Sequence, residues 1–220
     1  MAKQNIFNFS FDESFSEHDF IVSSCNEDAF NFINSWPNWQ TNAALIYGDK
    51  ASGKTHLANI WQGKNSAKFV NLADIDNLEA IGLITESNDC IILEDIDKAN
   101  NEIALFHLMN HAKEQGCSVL FTASCHPSMM NIRLPDLRSR LHAINCIKLD
   151  IPDEFMMKIL LTKGFINKQI KISEDVVDFI VTRMERSFVQ IKEVVEKIDQ
   201  SSLEEKRNIT IPFIRSIFNI

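Results

Sequence analysis

The feature that most constrains this chain is the motif GDKASGKT at residues 48–55. It matches the pattern G-x-x-x-x-G-K-[ST] at every fixed position. The apolar run 43–47 precedes the motif and has the composition of a buried parallel strand, while Leu57, Ile60 and Trp61 follow it at helical spacing. A strand, a glycine-bracketed turn and a helix in this order predict a phosphate-binding loop.

The spacing of this loop follows from the chemistry of a phosphate chain. Gly48 and Gly53 let the backbone turn and approach the ligand without an intervening Cβ. The helix that follows offers free N–H groups and the positive end of its dipole. Lys54 is predicted to reach the β- and γ-phosphates, and the Thr55 hydroxyl to hold Mg²⁺. The residues of this segment predicted to bind nucleotide are Gly48, Asp49, Lys50, Ala51, Ser52, Gly53, Lys54, Thr55 and His56.

Composition excludes several classes of protein. With 220 residues, 45% hydrophobic and 24% charged, the chain resembles an ordinary globular protein. A net charge of −8 argues against a broad nucleic-acid surface, which requires clustered Lys and Arg. The five scattered cysteines include no C-x-x-C pair, so neither a zinc site nor a disulfide framework is expected. The sequence shows neither a secretory leader nor a membrane-spanning run, and a cytoplasmic location is expected.

The order of apolar runs predicts an α/β fold. Strand-like runs at 43–47, 67–72, 90–93 and 118–123 alternate with helical patterns, which predicts a parallel sheet flanked by helices. The acidic stretch that contains Asp74, Asp76 and Glu79 is read as a connection. From about residue 151 the sequence shows helical periodicity alone, which predicts a small helical domain. Its helices are predicted at 153–168, 173–184, 187–199 and 211–218.

The segment IILEDID at residues 91–97 provides the second chemical element. Its apolar strand ends in Glu94 and Asp95, which are predicted to hold the Mg²⁺ shell and to orient the attacking water respectively. The usual order is Asp then Glu, whereas here Glu precedes Asp. This reversal moves each carboxylate by about the length of one methylene. Metal binding is therefore expected to persist, whereas water activation and intrinsic hydrolysis are left open. A solvated acidic turn is the alternative reading.

Two further segments carry polar candidates. SVLFTASCHP, at residues 118–127, ends a strand at Ser124, which is placed to sense the γ-phosphate. LPDLRSRL, at residues 134–141, contains Arg138 and Arg140. These arginines fit either an exposed helix or a group presented to a nucleotide on another subunit. Such a group is worth about 10³ to 10⁵ in rate.

The order of these motifs resembles the AAA+ ATPases of the bacterial initiator DnaA group, in which GKTHL is typical. LPDLRSRL and MERSF look more narrowly like the DnaA-related Hda regulators, especially the HdaA type. The resemblance spans residues 4–218 and implies an AAA+ fold, with a parallel sheet flanked by helices and a helical lid. It implies an N-terminal arm at 1–19, a nucleotide-binding base at 20–149 and a lid at 150–220.

The resemblance also assigns roles to single residues. The loop 48–55 matches the Walker A motif, and Glu94 with Asp95 matches the Walker B pair. Ser124 matches the sensor 1 position, and Arg140, in its Ser-Arg-Leu triplet, matches the arginine finger.

Two more matches concern the lid and the adenine. Arg186, in Glu-Arg-Ser-Phe, matches the sensor 2 arginine of the lid. Phe20 to Val22 match the segment that runs past the adenine. ADP or ATP with Mg²⁺ is therefore the implied ligand.

Hda proteins also carry a hexapeptide that binds the sliding clamp. Here Gln4 stands at the first place of such a peptide, and Phe7 and Phe9 stand at its fourth and sixth places. Two aromatic anchors and one amide suit a pocket on a partner. A flexible terminus is the alternative interpretation.

The function implied by the resemblance is regulatory inactivation of the initiator. With the DNA-loaded clamp, the chain would stimulate hydrolysis of DnaA-bound ATP through Arg140. No helix-turn-helix domain follows the lid, so direct sequence-specific DNA binding is not expected, whereas a homo-oligomer is possible. The alternatives are an AAA+ helicase loader and a nucleotide-dependent binding module. A small-molecule P-loop kinase is disfavoured because no second basic cluster follows the P-loop.

Overall fold

The computed structural model describes residues 15–205 and 207–218. The described residues contain a five-stranded parallel sheet with the strand order β2-β3-β4-β1-β5. Its strands are β1 (Ala43–Tyr47), β2 (Lys68–Phe69), β3 (Cys90–Leu93), β4 (Ser118–Ala123) and β5 (Asn145–Lys148). The central strands β1, β3 and β4 are almost wholly buried and mostly apolar, because both faces of the sheet are covered.

Helices cover both faces of this sheet. They are α1 (Glu27–Asn34), α2 (Lys54–Asn65), α3 (Leu78–Glu86), α4 (Glu102–Gln115) and α5 (Pro135–Ala143). One core joins the sheet to α3, α4 and α5, and the other joins it to α1 and α2. The second core is centred on the fully buried Trp61, whose ring stacks on Trp39 at a centroid distance of 5.2 Å.

Parallel pairing brings the carboxyl ends of the strands to one edge of the sheet. Tyr47, at the end of β1, pairs with Ala123 at the end of β4, and Leu93 of β3 pairs with Phe121. The loops that follow β1, β3 and β4 therefore meet at this edge, although they are far apart in the sequence.

The structure corrects the sequence-based element bounds in the first half of the chain. The strand predicted at 67–72 is reduced to Lys68–Phe69, because a 3₁₀ turn begins at Leu72. The stretch read as an acidic connection contains α3, whose first turn Asn77 caps by accepting a hydrogen bond from the Ala80 N–H. The edge strand β5 was not predicted, because its residues are only partly buried.

The helical region that follows the sheet has its own core. Its helices are α6 (Glu154–Asn167), α7 (Glu174–Val181), α8 (Phe188–Glu205) and α9 (Ile211–Phe218). Asp153 caps α6, because its Oδ1 accepts a hydrogen bond of 2.7 Å from the Met156 N–H. Apolar residues from all four helices, including Phe165 and Ile198, pack together.

The helical region contacts the sheet-containing part through a small mixed interface. Cys25, Met156 and Phe188 form an apolar cluster, and the Ser24 hydroxyl donates a 2.7 Å hydrogen bond to Asp153. Within residues 15–205 and 207–218, no helix has the length and apolar character needed to cross a bilayer.

Candidate functional site

A cleft of about 1100 Å³ opens between the carboxyl edge of the sheet and helices α6 and α8. The loop 50–56, Asp95, Lys98 and Ser124 line one side. Met156, Leu160, Lys163, Gly164 and Lys192 are among the residues that line the opposite side. The cleft therefore combines polar groups at the strand ends with apolar groups from the helical region.

Both motif glycines are required by the geometry of the loop. A Cβ at Gly48 would lie 2.8 Å from the Leu149 carbonyl oxygen, so a larger residue would displace the backbone. Gly53 has a φ of 100° at the start of α2, a conformation that side chains disfavour. Between the glycines, Ser52 is buried and its hydroxyl has no hydrogen-bond partner in the structure. A buried polar atom without a partner beside free helix N–H groups suits a phosphate ligand.

The Lys54 ammonium bridges the loop. Its Nζ donates hydrogen bonds of 2.7 Å to the Gly48 carbonyl and 2.8 Å to the Asp49 carbonyl. Burial lowers the pKa of Lys54 from its ordinary value, although neighbouring carboxylates, Asp95 first, act in the opposite direction. The ammonium therefore lies against the loop in which the motif predicts that it contacts phosphate oxygens.

Two predicted metal ligands are in direct contact. The Thr55 hydroxyl donates a 2.6 Å hydrogen bond to Glu94 Oε1. Mg²⁺ prefers oxygen ligands, and it commonly uses one or two carboxylates together with substrate phosphates. In the described part of the chain, no cluster of three or more His, Cys, Asp or Glu residues forms a metal site by itself. Thr55 and Glu94 thus fit an ion that arrives with a nucleotide.

Asp95, the predicted water-orienting residue, is paired with a lysine that the sequence analysis missed. Its Oδ2 lies 2.7 Å from Lys98 Nζ, and its backbone has a φ of 54° in the left-handed region. The hydrogen bond to Asp95 raises the pKa of Lys98. The spacing i, i+3 was visible in the sequence, but it identifies a pair only once a 3₁₀ turn is known to start there.

Ser124, the predicted γ-phosphate sensor, is also held by a residue that was not predicted. Its hydroxyl and its backbone N–H both donate to the carboxylate of Asp97, the N–H at 3.2 Å. Asp97 is the third carboxylate of the LEDID segment, which was the signal available in the sequence. The two loops after β3 and β4 are therefore tied together at the edge of the cleft.

The predicted adenine segment lies only partly in the cleft. Phe20 and Ile21 line it, whereas Val22 is 37% exposed and does not. The Phe20 ring stacks on Phe30 at 5.6 Å and meets the edge of His56 at 5.1 Å. His56 also bonds to the Ser16 carbonyl oxygen at 2.8 Å, so it supports this wall of the cleft.

Arg186 is the basic residue of the helical region that the sequence analysis predicted to contact nucleotide. Arg186 is exposed and is not among the residues that line the cleft, whereas Lys163 and Lys192 are. Lys163 donates a 3.3 Å hydrogen bond to the Asp19 carbonyl oxygen and lies 3.5 Å from the Asp19 carboxylate.

Arg140 is not among the residues that line the cleft of its own chain. It is partly buried on α5, and its Cζ is 5.3 Å from the centre of the Phe106 ring. Arg138, on the same helix, is exposed. The three residues predicted to bind a clamp, Gln4, Phe7 and Phe9, lie outside the described residues.

Known proteins resemble this chain both in its helical region and over most of its length. Residues 153–218 match the family model described as Hda, lid domain. The chain is 29% identical over 194 residues to an uncharacterized protein of Haemophilus influenzae, with 80% of each protein covered. It is 25% identical over 228 residues to the chromosomal replication initiator protein DnaA of Buchnera aphidicola, covering 92% of this chain and 52% of that protein. The chain thus spans about half the length of that initiator.

Solved structures share the fold. Domain III of the Thermotoga maritima replication initiation protein DnaA has a TM-score of 0.72 at 16% identity, covering 93% of this chain and 95% of that one. AMPPCP-bound DnaA from Aquifex aeolicus has a TM-score of 0.67 at 17% identity, covering 86% and 68%. The shared fold includes both the sheet and the helices that follow it.

Proposed function

We propose that this chain is a DnaA-related AAA+ protein of the Hda type, which binds an adenine nucleotide and inactivates the initiator DnaA. The match of residues 153–218 to the Hda lid-domain model and the fold shared with DnaA support this proposal. The observation that carries the proposal is the separation of two groups. Residues 50–56 of the P-loop line the cleft and Glu94 bonds to Thr55 of that loop, whereas Arg140 does not line the cleft and contacts Phe106 instead. We divide the chain into an arm (1–19), a nucleotide-binding base (20–149) and a lid (150–220).

The nucleotide would be held mainly by the loop. The Ser52 hydroxyl and the N–H groups at the start of α2 suit phosphate oxygens, and Lys54 exchanges its two carbonyl partners for them. Thr55 and Glu94 would hold Mg²⁺, which would neutralise charge on the phosphates. Phe20 and Ile21 provide apolar surface for a base. ADP or ATP is the proposed ligand.

A test of this site is Lys54→Ala. Loss of a hydrogen bond to a charged group costs about 1.5–3 kcal/mol, so we expect nucleotide affinity to fall about 10- to 100-fold. The measurement is titration with a fluorescent ADP or ATP analogue in the presence of Mg²⁺. Lys113→Ala, an exposed residue at the end of α4, is the control and should bind normally. Equal affinity of both variants would contradict the assignment.

Arg140 is proposed to act on the nucleotide of DnaA. A guanidinium held outside its own cleft can be presented to a phosphoryl group in the partner, where it stabilises charge in the transition state. The arm would bring the two proteins together, with Gln4, Phe7 and Phe9 binding the DNA-loaded sliding clamp. Hydrolysis would leave DnaA in its ADP form and so repress re-initiation.

The experiment that tests this function is conversion of DnaA-bound ATP to ADP, with this protein and clamp loaded on DNA. We expect the acceleration to require the clamp. In Arg140→Ala the rate of hydrolysis should fall by about 10³-fold, because an arginine finger raises the rate by at least about that factor. Arg138→Ala changes the exposed arginine of the same helix and should retain activity. Equal loss in both variants would indicate a general effect on α5.

A nucleotide-dependent binding module without DnaA-directed activity is the second candidate. The Asp95–Lys98 pair favours it, because a lysine occupies the carboxylate that would orient water. An AAA+ helicase loader remains the third candidate. Nucleotide binding without acceleration of DnaA hydrolysis would support these alternatives and reject the first proposal.

A further inference from the structure

Helix α5, which carries Arg140, begins without the usual cap. Leu134 stands at its N-cap position and offers no side-chain acceptor, and Pro135 follows it without an N–H group. The backbone N–H groups just before the helix therefore need acceptors from elsewhere in the fold.

Glu102, the first residue of α4, supplies those acceptors. Its Oε1 and Oε2 each accept a 3.0 Å hydrogen bond from the Arg133 N–H, and Oε2 accepts a 2.6 Å bond from the Leu134 N–H. These bonds lower the pKa of Glu102, which keeps the carboxylate ionised. A negative charge at the N-terminus of a helix is also favoured by the helix dipole.

The other end of α5 contacts the same face of α4. Phe106 lies four residues after Glu102, one helical turn along, so the two side chains share a face. The Arg140 guanidinium lies over the Phe106 ring at 5.3 Å, within the range of a cation–π interaction. Leu137, between these two contacts, and Leu141, just after the second, are each 1% exposed and pack in the core that includes Leu105 of α4. One face of α4 thus contacts α5 from its start to Arg140.

We propose that Glu102 and Phe106 are positioning residues for Arg140, an inference that rests on the proposed function. Glu102 fixes where α5 begins, and Phe106 restricts the rotamers of the arginine. An arginine loses much conformational freedom when it is held in one place. Here part of the conformational entropy of Arg140 is lost when the protein folds, before a partner binds. The arginine is therefore already placed for the reaction, and this placement raises the rate of hydrolysis within the complex.

The test separates rate from binding. Stimulation of DnaA-bound ATP hydrolysis is measured against the concentration of Glu102→Ala and Phe106→Leu. Since a misplacement of about 1 Å can cost about 100-fold, we expect the maximal rate to fall by about 10- to 100-fold in each variant. The half-saturating concentration should stay unchanged. A changed half-saturating concentration with a normal maximal rate would overturn the proposal.

Two controls distinguish positioning from loss of structure. Glu114→Ala alters an exposed glutamate on α4 and should behave as the original protein. Glu102→Gln keeps one carbonyl acceptor and serves if Glu102→Ala does not fold; its maximal rate should fall less than that of a folded Glu102→Ala. Each variant must also bind nucleotide and unfold cooperatively at a temperature above that of the assay.

A second readout does not depend on DnaA. The NMR signal of the Arg140 Nε–H, assigned with Arg140→Lys, should be shifted by the Phe106 ring and should move in both Phe106→Leu and Glu102→Ala. An unchanged signal in Glu102→Ala would overturn the proposal. If the original protein does not stimulate DnaA, the proposed function fails, while this signal still shows whether Glu102 positions the arginine.

Discussion

At the scale of single residues, the pairing of Asp95 with Lys98 determines how the acidic edge of the cleft behaves. The carboxylate expected to orient water lies 2.7 Å from an ammonium that also lines the cleft. Both side chains are substantially exposed, so the pair is weak and can exchange with other charges. Intrinsic hydrolysis should therefore be restrained by this lysine without being abolished by it.

Replacement of Lys98 by methionine tests this restraint. Lys98→Met leaves Asp95 without this partner. We expect the rate of single-turnover ATP hydrolysis to rise only about two- to fivefold, because an exposed ion pair contributes little free energy. Lys148→Met removes a matched ammonium, 2.6 Å from Asp150, that does not line the cleft and should have no effect. A slower rate in Lys98→Met would mean that the lysine assists the reaction.

The sequence predicted this site unevenly, and the reason is physical. The P-loop follows a fixed spacing, and Thr55 and Glu94 were each predicted as metal ligands, but their direct contact was not predicted. The roles of Asp97 and Lys98 depend on the left-handed backbone of Asp95 and the 3₁₀ turn after it. Side-chain direction on such a turn is set by tertiary contacts, which no local pattern encodes.

At the scale of elements, two buried thiols lie where strands begin, Cys90 as the first residue of β3 and Cys117 just before β4. Burial raises the pKa of Cys90 to about 11 and that of Cys117 to about 12. Both thiols therefore stay protonated in the folded protein at a pH where the unfolded chain, with ordinary values of 9.0, is ionised. Stability contributed by these groups is present below pH 9.0 and is lost as pH rises towards 11 and 12.

Thiol labelling checks this element. We expect a thiol reagent near neutral pH to modify the half-buried Cys125 first, and Cys90 and Cys117 only on unfolding. Cys125→Ser should remove the fast phase. In parallel, the free energy of unfolding should be lower at about pH 10 than at about pH 8. Rapid modification of Cys90 in the folded protein would contradict the prediction.

The elements were more predictable than their bounds. The predicted α/β fold with an all-helical lid is confirmed, because apolar periodicity identifies buried strands and helix faces directly. Helix α3 was missed, because its cap, Asn77, lies in a stretch dominated by acidic residues. Helix α8 continues to Glu205, beyond the predicted end at Asp199, because no residue there breaks it.

At the scale of the whole molecule, Phe188 connects the helical region to the rest of the chain. It is 8% exposed and packs with Cys25 and Met156. Phe188 also lines the cleft, so the same side chain contributes to the junction and to the ligand surface. Stability of the junction and affinity for nucleotide should therefore change together.

Phe188→Ala tests this connection. Removal of a buried phenylalanine costs about 3–5 kcal/mol, so we expect a lower temperature of unfolding and weaker nucleotide binding. Phe155→Ala is a matched control, because Phe155 is 59% exposed on α6. The measurements are thermal unfolding and nucleotide titration on both variants. A destabilised Phe188→Ala with normal affinity would separate the junction from the ligand site.

The location of Arg140 outside its own cleft has a consequence for reaction order. A molecule that holds ATP in its cleft does not place its own Arg140 beside that ATP. A bound ATP and the arginine therefore come together only when two protein molecules meet. On loaded clamp and below saturation, the rate of the proposed reaction is then first order in this protein and in DnaA, so dilution slows it even when every molecule is folded and loaded. The local concentration of the two proteins, rather than the chemistry within either of them, sets the rate at low abundance.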